Sequence, residues 1–91
     1  MEPRRVEETI DRLRRVEGQV QGIERMGREG RYCVDILTQL AAVRGALKEV
    51  ERIVLRAYLR ASVARVVRSE TAERRAQQVD EIVSALRRVE R

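Results

Sequence analysis

Histidine, tryptophan and phenylalanine are absent from this 91-residue chain, and cysteine, proline and lysine occur once each, as Cys33, Pro3 and Lys48. Without histidine the chain lacks the side chain most often used as a general base and metal ligand. It also has no glycine-rich phosphate loop and no close carboxylate pair in apolar surroundings, so we expect no enzyme. Two tyrosines are the entire aromatic content, which leaves aliphatic helix seams as the only source of a core. A single cysteine cannot close an internal disulfide, so Cys33 is either a small buried hydrophobe or a thiol with a function. No apolar run approaches the length of a membrane span, and Met1-Glu2-Pro3-Arg4-Arg5 leads into no signal-peptide core. These absences predict a cytoplasmic protein with no membrane partner.

Charge is what the chain has in quantity. Twenty basic residues against 15 acidic ones give a net charge of +5, and every cation except Lys48 is an arginine. Such a balance favours a polyanionic partner. Arginine suits bidentate phosphate or guanine contacts, although a GC-rich genome or a hot habitat yields the same bias.

Apolar spacing predicts three helices and one helical domain over residues 1–91. Val6, Ile10, Leu13, Val16, Val20, Ile23 and Met26 alternate steps of three and four, marking a helix over about residues 6–28. Gly18 and Gly22 lie on one face of it, a spacing that admits a close helix approach. Gly27-Arg28-Glu29-Gly30 reads as a helix stop and tight turn. From about residue 31 to 66 the chain reads as one unbroken helix, roughly 50 Å long at 1.5 Å per residue. Its middle, Ala41-Ala42-Val43-Arg44-Gly45-Ala46, is poor in side-chain bulk and suggests a helix crossing. Ser69 is the expected N-cap of a third helix over about 70–90, with Glu70 and Glu73 in its first turn. A rod this long in so small a chain points to oligomerisation.

Basic residues on the first two helices are the candidate DNA contacts: Arg12, Arg15, Arg44, Lys48 and Arg52. The last three follow one another at steps of four, so they share a face of the long helix. The alternative is a solvated face paired with Glu49 and Glu51. Cys33 stands just after Arg31 at the start of that helix, a setting in which reactive thiols occur, while Asp35 works against it.

Three stretches together, Arg12-Leu13-Arg14-Arg15-Val16-Glu17-Gly18-Gln19-Val20, Gly22-Ile23-Glu24-Arg25-Met26 and Arg31 to Val43 with its Tyr32-Cys33-Val34-Asp35-Ile36-Leu37-Thr38-Gln39 core, resemble the copper-sensing repressor (CsoR-like) family. That family includes copper, nickel/cobalt, formaldehyde and persulfide sensors. The resemblance implies an all-α, three-helix protomer, an antiparallel dimer of long helices, and a homotetrameric dimer of dimers. It further implies a transcriptional repressor that binds operator DNA until an inducer releases it, with basic residues of the first two helices on the DNA.

Cys33 and Tyr58 are 25 residues apart on one helix, roughly 37 Å, so they cannot meet within a protomer. In the family's antiparallel dimer, Cys33 of one chain faces Tyr58 and Ser62 of the other. Copper-sensing members hold His and Cys at the positions of Tyr58 and Ser62, and here Cys33 is the only plausible ligand, so no cofactor is expected. The formaldehyde branch uses an N-terminal proline, whereas Pro3 lies behind Met1-Glu2. The persulfide branch uses a second cysteine where Ser62 stands. Gln78 lies about where copper-sensing members carry a Glu that couples ligand binding to DNA release. We therefore expect an inducer acting at or near Cys33, thiol-reactive or persulfide-type. A metal sensor with an atypical Cu(I) or other transition-metal ligand set is the alternative, and a helical scaffold that binds no DNA is the second.

Overall fold

Three helices account for nearly all of the described chain: α1 (Pro3–Arg28), α2 (Cys33–Arg68) and α3 (Ala72–Val89). The structure is a computed structural model and describes residues 1–90. The all-α expectation holds, and no strand occurs among the described residues.

The helix limits differ from the sequence-based ones for local reasons. α1 starts at Pro3 rather than near residue 6, because proline is preorganised for the first helical position, where its missing N–H costs nothing. Its end is a Schellman arrangement. Gly30 adopts φ 67°, the Arg31 amide reaches the Met26 carbonyl at 3.0 Å, and the Gly30 amide reaches Gly27 at 3.3 Å. This turn consumes Arg31, and α2 begins at Cys33 instead of residue 31.

At the third helix the cap is Thr71, not Ser69. Thr71 Oγ1 accepts from the Arg74 amide at 3.2 Å, while the Ser69 hydroxyl turns back to the Arg65 carbonyl at 3.1 Å. That back-bond is the local alternative open to serine at a helix end. Glu70 therefore lies outside the helix, and Glu73 is the acidic residue of its first turn. We expect Thr71→Ala to lower unfolding stability by about 1 kcal/mol, and Thr71→Ser to restore most of it. Urea titration of the three proteins measures this, and an unchanged alanine variant would mean that the cap contributes nothing.

The chain divides into two compact units, Met1–Val54 and Leu55–Arg91. In the first, burial selects Thr9 and Val16 on α1 and Val43 and Val50 on α2. Each pair is separated by two helical turns, so each helix turns one narrow stripe inward. Thr9 is admissible there because its hydroxyl donates to the Arg5 carbonyl at 2.7 Å. In the second unit the fully buried side chain is Ser62, at 2% exposure.

Much apolar surface stays outside. Leu40, Leu47 and Val54 recur at two-turn spacing along α2 and are each about half exposed, as are Val34 and Leu37. The close approach anticipated at Gly18 and Gly22 is not made within the chain: a Cβ at either would meet no atom within 4 Å. The same is true at Gly45.

Candidate functional site

All five candidate DNA contacts belong to the first unit. Arg44, Lys48 and Arg52 are exposed along α2 at successive steps of four. Arg52 bonds Glu49 Oε2 at 3.4 Å, and no ion pair among the described residues involves Arg44 or Lys48. Glu51, the other expected partner, is likewise absent from those pairs. The Arg52 side chain remains 73% exposed despite its pairing. A pair so open to water contributes about 0–1 kcal/mol, so a phosphate competes with it readily.

Arg12 and Arg15 lie on α1. Arg12 pairs with Glu8 at 3.5 Å, and Glu8 also takes Arg5 at 3.2 Å. The carboxylate thus neutralises part of the charge expected to face DNA. That bridge was readable from spacing, since Glu8 stands three residues after Arg5 and four before Arg12.

Cys33 opens α2 and is exposed, which removes the buried-hydrophobe reading for the isolated chain. The backbone beneath it is pinned, because the amides of Asp35 and Ile36 both donate to the Tyr32 carbonyl, at 3.0 and 3.3 Å. Tyr32 is 71% exposed, whereas Tyr58 is half-buried and Ser62 fully buried. Cys33 belongs to the first unit, and Tyr58 and Ser62 belong to the second. No group of three or more His, Cys, Asp or Glu residues suited to a metal ion occurs among the described residues.

One cluster has no signature in the sequence. Ser69, between α2 and α3, hydrogen-bonds the Gln78 side chain, and its carbonyl accepts from the Arg75 guanidinium at 2.9 Å. Gln78, on α3, thereby ties that helix to the end of α2. Nothing in residue spacing marks a contact nine residues apart across a turn.

Residues 5–88, nearly the whole chain, match the model of the family described as metal-sensitive transcriptional repressors. The chain belongs to this family. Members of this family are transcriptional regulators, not enzymes. The copper-sensing transcriptional repressor RicR of Mycobacterium tuberculosis is 54% identical over 56 residues, covering 62% of this chain and 58% of that protein. The copper-sensing transcriptional repressor CsoR of Bacillus subtilis is 42% identical over 67 residues, covering 74% of this chain and 66% of that protein. The match thus spans somewhat less than two thirds of either relative's length.

Among solved structures of such repressors, the copper-sensing CsoR with Cu(I) from Geobacillus thermodenitrificans gives a TM-score of 0.82 at 30% identity, covering 100% of this chain and 92% of that one. The nickel-responsive transcriptional regulator InrS gives 0.79 at 34% identity, covering 90% and 89%. The three-helix repressor fold is therefore shared by proteins named for different metals. What each member senses must lie in side chains and not in the fold.

Proposed function

We propose that this repressor binds operator DNA as a homotetramer, through Arg44, Lys48 and Arg52 with Arg12 and Arg15 alongside, and that chemistry at Cys33 releases it. The observation that carries the reading is the α2 stripe, three exposed cations with one weak intramolecular partner between them. Phosphate contacts of this kind supply affinity and a steep salt dependence, and DNA shape supplies part of the selectivity. Assembly is supported by the half-exposed row Leu40, Leu47 and Val54, which is apolar surface of the kind a second chain covers.

Relatives named for copper and nickel favour a second reading, in which a metal is the inducer. The donor set here does not fit Cu(I). Soft monovalent copper selects thiolate and thioether sulfur or imidazole. The whole sequence offers one thiol (Cys33), two thioethers (Met1 and Met26) and no histidine, and Tyr58 and Ser62 present oxygen at the positions that the family resemblance aligns with its ligands. Exposed thiols, by contrast, are open to persulfidation, alkylation and oxidation.

Fluorescence anisotropy on the protein's own upstream DNA separates the readings. A polysulfide donor is expected to release the wild-type protein and to leave Cys33→Ala bound, with Cu(I) ineffective on both. Release by Cu(I) would replace the thiol reading with the metal one. Loss of helicity in Cys33→Ala would make Cys33 a structural residue. Absence of preference for that DNA over random duplex at about 0.2 M salt, where nonspecific contacts are weak, would leave a scaffold.

A further inference from the structure

Two surface depressions on the chain differ in charge balance. The one on α1 gathers Arg4, Arg12 and Arg15 with Glu7, Glu8 and Asp11, three residues of each sign. The one at the α2–α3 joint gathers Arg65, Arg68 and Arg74 against Glu70 alone. None of the ion pairs among the described residues involves these three arginines or Glu70. Three guanidinium groups gathered around a single carboxylate leave an excess of positive charge and repel one another. A multivalent oxyanion between them relieves that repulsion and matches their fork of donors.

The joint is also braced. Ser69 is held to Gln78 and to the Arg65 carbonyl, and Arg75 is occupied on the Ser69 carbonyl at 2.9 Å. The three arginines therefore project from a fixed frame, which limits the ordering cost of closing them on a ligand. The α3 N-terminus opens at the same place, with Thr71 fixing its first turn, and its dipole adds to the positive potential. All of these residues lie within the second unit.

We infer that the depression formed by Arg65, Arg68 and Arg74 at the α2–α3 joint binds a phosphate-bearing anion. Its chemistry is that of clustered phosphate oxygens, supplied either by a DNA backbone or by a free oligophosphate. None of its arginines is among the operator contacts proposed above.

Isothermal titration of the full chain with sodium tripolyphosphate tests it. Binding is expected at one anion per chain, and Arg68→Ala/Arg74→Ala should weaken it by about tenfold or more, because each arginine removed takes a charge-assisted hydrogen bond with it. Arg87→Ala/Arg88→Ala removes the same charge elsewhere and should leave the affinity unchanged. Circular dichroism checks that each variant keeps its helices. Failure of the wild type to bind, or equal weakening in both double variants, overturns the inference, because the anion would then see only net charge.

Anisotropy on DNA identifies the source. A salt slope flattened by Arg68→Ala/Arg74→Ala assigns the depression to the DNA backbone, at about 0.9 per phosphate contact. An unchanged slope with tripolyphosphate binding abolished assigns it to a free anion. Tripolyphosphate binding survives a failure of the operator reading, so the two ideas fall separately.

Discussion

Lys48→Ala/Arg52→Ala should bind the operator on the order of 100-fold more weakly than the wild type at about 0.1 M salt, with a visibly flatter salt dependence. The size follows from multiplicity. Every phosphate that goes unneutralised takes about 0.9 from the slope of log affinity against log salt, and in the proposed tetramer each substitution is repeated in every chain that touches the duplex. The structure makes both residues available. Lys48 has no ion pair among the described residues, and the Arg52–Glu49 pair is open to water. Removing Arg52 also frees Glu49, whose carboxylate then repels the backbone and weakens binding further. Anisotropy over a range of salt concentrations measures both quantities. Unchanged affinity and slope would take the stripe off the DNA.

Gly45→Leu should break the assembly while leaving the helix intact. A side chain at Gly45 enters open space within the chain, with no atom inside 4 Å of its Cβ. Replacing a mid-helix glycine with leucine favours the helix by roughly 0.5–1 kcal/mol. A loss of association on this change therefore cannot come from damage to α2 itself. It requires a second chain passing close to Gly45, as an antiparallel pair of long helices crossing at their small-residue centre does. Sedimentation should report a smaller species with undiminished helicity by circular dichroism. The wild-type mass retained would move the crossing away from Gly45.

The helices were readable because nothing interrupts their apolar period: the sole proline stands at position 3, where it starts α1 rather than breaking it. The α1–α2 turn was readable too, since Gly30 adopts the left-handed conformation that glycine favours. The start of α3 lies two residues beyond its expected place because Ser69 and Thr71 are both cap-forming residues. What separates them is that Ser69 is engaged locally with the Arg65 carbonyl and, across the turn, with Gln78.

Site residues follow the same division. Periodicity puts Arg44, Lys48 and Arg52 on one face, and the structure leaves that face exposed. It gives no sign that Ser62, a polar residue amid Ala61 and Val63, is the most deeply buried side chain. Nor does it show the arginines of the α2–α3 joint as a group, because Arg74 reaches that depression only once the chain has turned from one helix into the next.

Lys48 has one more property. It is the only lysine in the sequence, and it occupies the centre of the α2 stripe. Amine-directed acylation thus addresses one side chain per chain, and that side chain is the one proposed to meet phosphate. Its rate of labelling becomes a one-residue footprint, in which shielding of a single nitrogen reports whether the protein is seated on DNA.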